Sequence, residues 1–213
     1  MTLHPGEYLI VDIASAPIAD VADYLEEPSP PANYKDPEKI TAWIAEKKRS
    51  LADSAALDPD LGQITALGLS AAEGRDTVTL CHNEAAERDA LIGFAALMAE
   101  TPAPILITFC GHRFDLPFLV RRAAYLGVPL RLDVDRYRSP HIDLSDLLTV
   151  RGTLTAHSLA FYACRLGWDL VKPLTGAEEA RVLESGQWDL LGQSVRHDLI
   201  ATRRLAAWLG AIA

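Results

Sequence analysis

The chain has 213 residues, 49% of them hydrophobic and 23% charged, which suits a globular fold with one sizeable core and excludes a disordered chain. Its 20 basic and 29 acidic side chains leave a net charge of −9. That balance counts against a tight, sequence-independent nucleic-acid clamp, which is usually basic, but not against a phosphodiester-cleaving enzyme, in which bound metal ions supply positive charge where the phosphate sits.

Residues 8–13 (YLIVDI) form a short apolar, β-branched run with an acid near its end and read as a buried strand. Residues 20–36, with Pro28, Pro30 and Pro31, read as a loop. Residues 37–54 read as a helix: Pro37 suits a first turn and Ile40, Trp43 and Ile44 share a face, while Lys47, Lys48 and Arg49 form a solvated basic patch. Residues 63–70 and 76–81 are expected to pair as a hairpin around a turn at Glu73 and Gly74. Asn83 is placed to cap a helix over 84–98. Residues 104–109 (PILITF) are almost wholly apolar, as in a strand covered on both faces. A tight turn at Gly111 leads into a helix over 115–126 that Gly127 ends.

Beyond Asp143 the chain reads as nearly all helix, over 144–150, 158–166 (with His157 and Ser158 at its start), 176–185 and 188–209. The pattern predicts one α/β domain spanning 1–213, a mixed sheet flanked by helices with a helical C-terminal half. No apolar run is long enough for a membrane span, and residues 1–7 lack a basic region followed by an apolar stretch. The expectation is a soluble, cytoplasmic chain. Cys81, Cys110 and Cys164 are scattered without metal-ligand spacing, which fits a reducing compartment and speaks against structural zinc.

Three acids lie among apolar neighbours: Asp12 between Val11 and Ile13, Asp115 between Phe114 and Leu116, and Asp198 before Leu199 and Ile200. An unpaired buried carboxylate is costly, so acids on core-facing elements need a cation, a helix N-terminus or water. A pair of hard divalent ions would satisfy them, and two such ions ~3.5–4 Å apart activate a water and stabilise the leaving oxygen of a phosphodiester. Taken singly, each has a plainer role: Asp115 as a helix N-cap, Asp198 as an exposed helix residue, Asp12 as a strand-end acid.

The segments YLIVDIASAP, ITFCGHRFDLPFL and SVRHDLIATRRLAAWL resemble, in order, the three motifs of the DnaQ-like (DEDD) 3′–5′ exonucleases. The chain is most similar to the stand-alone exonucleases related to the proofreading domain of family B DNA polymerases. NYKDPEKI, AALDPDLGQITALGL and HIDLSDLL add to a resemblance that covers nearly the whole chain. It implies a ribonuclease H-like fold, two Mg²⁺ or Mn²⁺ ions per site, and stepwise removal of nucleotides from a nucleic-acid 3′ end, single-stranded DNA first and RNA or frayed duplex ends next. On that mapping Asp12 bridges both metals while Asp115 and Asp198 complete the shell, partly through water.

The pattern breaks at two places. Where the family reads Asp-x-Glu, this chain has Ala14. A strand puts residues 12 and 14 on one face, so the missing carboxylate would have pointed at the same metals, and its absence is expected to weaken the water-activating ion and impair catalysis. Ala14 reads as an introduced Glu→Ala change in an otherwise intact site, which the rest of the site favours, or as the mark of a natural relative that binds or assembles without cleaving. The family also carries a tyrosine four residues before the last aspartate or a histidine five before it; here those are Ser194 and Gln193. Ser194 shares a helix face with Asp198 and is the candidate water-orienting residue, although serine is no general base at neutral pH. His197 points about 100° away from Asp198 on a regular helix and reads as a surface or phosphate-contacting residue.

A milder departure is Cys110-Gly111, where the family commonly has Asn-Gly; Cys110 reads as a small buried residue. Around the proposed site, His112 and Arg113 lie in the loop at its mouth and Phe114 beside the acid where a 3′ base would stack, giving Phe114, His112, Arg113 and His197 as candidate substrate contacts. The cluster of His141, Asp143 and Asp146 suggests a metal by its residue types, but the family resemblance implies that Asp143 is a structural acid, or one behind the metal ligands, near a strand end. No Gly-rich phosphate loop and no Gly-x-Ser-x-Gly elbow occurs.

Overall fold

The computed structural model describes residues 2–72, 74–100 and 102–213, apart from the side chains of Ala52 and Asp53. Met1, and Glu73 of the expected turn, lie outside the described residues. The sheet is built around β1 (Tyr8–Pro17), which pairs antiparallel with β2 (Gly62–Ser70) and parallel with β4 (Ile105–Thr108). β3 (Asp76–Leu80) extends the β2 edge as the expected hairpin partner, and β5 (Ile142–Asp143) extends the β4 edge, giving the order β3-β2-β1-β4-β5. The helices are α1 (Pro37–Ala55), α2 (Glu84–Met98), α3 (Asp115–Tyr125), α4 (Leu144–Leu148), α5 (Leu159–Arg165), α6 (Gly176–Glu179), α7 (Val182–Ser185) and α8 (Trp188–Trp208). The mixed sheet flanked by helices is thus as expected. Among the described residues no helix is long and apolar enough to cross a membrane.

Alternation along β1 decides what each face of the sheet does. Leu9, Val11 and Ile13 face a core they share with Leu91 and Phe94 of α2 and Leu116, Phe118 and Leu119 of α3. Tyr8 and Ile10 join Leu199 and Leu205 of α8 in a second core, and Ala14 joins Leu191 and Val195 of α8 in a third. Asp12 therefore interrupts an otherwise apolar stripe on the α8 face. Gly68 of β2 lets α8 settle there: a Cβ at that position would lie 2.6 Å from Val195 Cγ1 and 3.1 Å from Leu199 Cδ1.

β1 runs four residues beyond its expected end, so Asp12 is mid-strand and not near its end. The small residues 14–16 hid the continuation. Their backbone stays paired with β2 across a register shift, Ala14 opposite Ala66 but Ser15 opposite Ile64, a bulge of the kind that re-aims side chains next to sites. The Ser15 hydroxyl donates to the Ala56 carbonyl at 2.5 Å, tying the bulge to the end of α1.

Other boundaries differ for local reasons. The loop over 20–36 contains a 3₁₀ turn, Val21–Asp23. The two-residue β5 is too short to show a period. α4 stops at Leu148 because Val150 and Arg151 take φ of 49° and 56°, outside the helical region. The helix expected over 176–185 is two short helices: a Thr175–Glu178 capping box starts α6, and the chain breaks at Ala180 before α7. Asn83 accepts from Ala86 N at 3.0 Å and Ser158 from Phe161 N at 3.2 Å, the caps their positions suggested.

Candidate active site

Asp12, Asp115 and Asp198 come from β1, α3 and α8 and line one cleft of about 550 Å³ together with Ala14, Lys172 and Glu179. The cleft opens beside the C-terminal ends of the parallel pair β1 and β4, the usual place for a ligand on an α/β sheet. A larger cavity of about 800 Å³, lined by Ile18, Tyr24 and Tyr125 among others, shares none of these residues.

Asp115 is the first residue of α3, with Phe114 in the cap position, so it sits where a helix N-terminus favours negative charge. Its Oδ1 accepts from Ile13 N at 3.1 Å, which fixes α3 against β1 one residue from Asp12. Burial pushes the Asp115 carboxyl up to about 7 against the lowering effect of its backbone hydrogen bonds, with Asp143 and Asp198 adding to the rise. Burial first, then the charges of Asp198 and Asp115, hold Asp12 well above the ordinary carboxylate range, with Lys172 opposing them. The donor set is all hard oxygen and its negative charge is undercompensated, which is the chemistry Mg²⁺ or Mn²⁺ requires.

These shifts set a pH dependence in the metal-free state. A carboxyl whose folded pKa is raised stabilises the fold below its unfolded value near 4, and that contribution is lost as pH rises through the folded value, about 7 for Asp115. Asp12→Asn in the presence of a chelator is therefore expected to melt above the parent at pH 8, by about 2–4 °C for each kcal/mol of relieved strain, with the gap closing toward pH 4. Saturating Mn²⁺ should reverse the order at pH 8. A melting difference that ignores both pH and Mn²⁺ would contradict this assignment of charge.

The family model of the RNase_H superfamily matches residues 54–209. The chain belongs to the RNase_H superfamily. Asp115 and Asp198 lie inside the matched stretch, and Asp12 and Ala14 precede it. Among solved structures the chain resembles a family B DNA polymerase from the archaeon Pyrobaculum calidifontis, with a TM-score of 0.60 and 20% identity over 95% of this chain and 24% of that one. At that identity the likeness is one of fold. A DNA polymerase of Thermococcus aggregans is 42% identical over 50 residues, which is 24% of this chain and 3% of that protein. The chain thus spans a small part of the length of both relatives.

Within this RNase_H superfamily member the remaining candidates fall in different places. Phe114 lines the cleft next to Asp115, its ring 5.1 Å from that of Phe118. Arg113 is exposed but lines a smaller neighbouring cavity with Asp143, Asp146 and Gly152. Ser194 is fully buried, and its hydroxyl donates to Glu179 Oε1 at 2.6 Å. It does not line the cleft, so it is not placed to orient a water there. His197 is not a surface residue: its side chain is 13% exposed, and both ring nitrogens are buried without a hydrogen-bond partner among the described residues.

His112 points away from the cleft, because its ring is consumed in a buried chain of contacts. Its Nδ1 lies 3.2 Å from Asp146 Oδ2 and its Nε2 lies 3.0 Å from His141 Nδ1, while His141 Nε2 lies 2.9 Å from Thr108 Oγ1. Burial, then the neighbouring His112, pushes His141 down to about 3, so its ring is neutral near pH 7. The same chain places His112, Asp143 and Asp146 close enough to suggest a metal. Their oxygens are already engaged, however. Arg136 forks onto Asp146 at 2.8 and 2.5 Å, and Asp143 accepts from the backbone N–H groups of Cys110, Ser145 and His112 at 2.9, 2.9 and 3.1 Å. The cluster is scaffolding that holds the β4–α3 turn.

That turn explains the Cys110-Gly111 pair. Cys110 has φ 68°, in the left-handed region that asparagine tolerates best after glycine, and it is half-buried at the cleft and not enclosed in the core. Gly111 is required for packing, since a Cβ there would collide with the Thr108 side chain. Two charged residues of the cleft, Lys172 and Glu179, carry no signal in the sequence. Lys172 Nζ lies 2.5 Å from Asp198 Oδ2 and 2.9 Å from Glu179 Oε1. Burial opposes its charge, but Asp198 and Glu179 outweigh it and raise the lysine pKa. One is a loop residue and the other ends a four-residue helix, so neither carried a periodic signal.

Proposed function

We propose that this chain is a divalent-metal-dependent 3′–5′ exonuclease, its residues 1–213 forming one exonuclease domain that works in the cytoplasm on the 3′ ends of single-stranded DNA, with RNA as a second substrate. The convergence of Asp12, Asp115 and Asp198 from three separate elements on one cleft supports the reading most strongly. Asp115 and Asp198 have protein partners in Ile13 N and Lys172, but the three acids stand close enough for Asp198 to raise the pKa of both Asp12 and Asp115, and a bound cation would relieve that repulsion.

On this reading Asp12, Asp115 and Asp198 would hold two Mg²⁺ or Mn²⁺ ions, which supply an activated water and stabilisation of the leaving oxygen. Phe114 flanks Asp115 at the cleft and offers a ring on which the terminal base stacks. The β4–α3 turn, clamped by Asp143, keeps Asp115 at the helix N-terminus and against β1. Enclosure by the surrounding apolar packing strengthens each charge interaction with the phosphate. Measured against the family pattern, three aspartates alone are one carboxylate short, and a chain relying on them alone cleaves slowly.

A second reading, a nucleic-acid-binding or assembly module without catalysis, is favoured by Ala14 itself, which is 3% exposed within an apolar cluster. Digestion of a single-stranded DNA with Mn²⁺ by this chain and by Ala14→Glu separates the two. Cleavage by both, or by Ala14→Glu alone, upholds the exonuclease. Absence of product from both at high enzyme, with metal-independent DNA binding, would leave the binding module.

A further inference from the structure

Resting on the exonuclease reading, we infer that Glu179 supplies the carboxylate that position 14 lacks, making the cleft a four-acid site for two divalent ions. The first ground is how the chain is folded around Ala14. This residue belongs to an apolar cluster with Leu174, just before α6, Val182 of α7, and Leu191 and Val195 of α8. That packing seats α6 on β1 and carries its last residue, Glu179, into the cleft with Asp12, Asp115 and Asp198. Glu179 is only 12% exposed there, although it stands next to the solvent-facing Glu178 in sequence.

The second ground is that Glu179 is held in place. Its Oε1 accepts from Ser194 Oγ at 2.6 Å and pairs with Lys172 Nζ at 2.9 Å. The Ser194 position is where one of the two forms of the family pattern has tyrosine, and a ring built out from the same Cβ would compete with Glu179 for this space. The small residues at 14 and 194 leave room for the inward Glu179.

The third ground is the bridge made by Lys172, whose ammonium also lies 2.5 Å from Asp198 Oδ2. Both carboxylates are directed at one cationic centre on the cleft wall. Lys172 thus holds Glu179 and Asp198 side by side on the cleft wall, and a divalent ion bound there would take over the charge that the ammonium now balances.

The test is Mn²⁺ binding, read by calorimetry and by the count of bound ions in electron paramagnetic resonance, on the full chain, Glu179→Gln, Asp12→Asn and the double variant Glu179→Gln/Ala14→Glu. The full chain is expected to bind two Mn²⁺, and Glu179→Gln to lose one or hold it at least about tenfold more weakly. The double variant should regain that ion, a recovery that a merely loosened fold would not give. Glu179→Gln binding two ions as tightly as the parent, while Asp12→Asn does not, would overturn the role of Glu179 and spare the exonuclease reading. No Mn²⁺ bound by the parent, or undiminished binding by Asp12→Asn, would overturn both.

Discussion

Asp12→Asn is expected to lower Mn²⁺-dependent release of 3′ nucleotides by at least about a hundredfold, in this chain or in its Ala14→Glu version, whichever cleaves faster. The size follows from the position. Asp12 lies at the middle of β1, between Asp115 and Asp198 electrostatically, and faces the cleft where the neighbouring stripe residues Tyr8 and Ile10 face α8. A ligand shared by two ions anchors a charge stabilisation worth several kcal/mol, and about 1.4 kcal/mol is tenfold in rate. Asparagine keeps the shape and one oxygen but not the charge, so the fold should survive. Retention of more than a tenth of the rate, with melting unchanged, would mean that Asp12 is not a ligand.

The second large effect lies away from the cleft. Glu87 of α2 is fully buried and forks onto Arg122 of α3 at 2.8 and 2.9 Å, while its Oε1 also accepts from Ile64 N at 2.8 Å. Ile64 is the β2 residue opposite Ser15, immediately past the bulge in β1. One carboxylate therefore joins two helices to the strand irregularity that shapes the cleft wall. Glu87→Ala leaves a buried guanidinium and a backbone N–H unpaired, and breaking such a pair from one side costs about 3–5 kcal/mol. Thermal melting should fall on the order of 10 °C. A loss below about 1 kcal/mol in denaturant unfolding would show that water replaces the carboxylate.

Much of the architecture was legible because it rests on local chemistry. Asn83 and Ser158 cap their helices, the 63–70 and 76–81 runs pair as a hairpin, and PILITF is a covered strand. The three aspartates stood out because each interrupts an apolar surface, and their convergence follows from the alternation of β1 and from Gly68 admitting α8. What was not legible depends on tertiary packing. The extension of β1 past Asp12 is held by pairing with β2 and not by its own small residues. His112 looked like a mouth residue because sequence could not show Asp146 and His141 waiting to enclose it. Ser194 shares a helix face with Asp198 as expected, yet Glu179, brought from a separate helix, takes its hydroxyl. Glu179 carries no signal in the sequence, and only the packing around Ala14 turns it inward.

Metal-dependent cleavage from a 3′ end is tested most simply by the product pattern from a 5′-labelled single strand digested with Mn²⁺. The expected result is a ladder of labelled fragments shortening one nucleotide at a time from the 3′ end, abolished by a chelator and by Asp12→Asn. Immediate release of the labelled terminal nucleotide, internal cuts without a ladder, or an intact strand with both this chain and Ala14→Glu would contradict it.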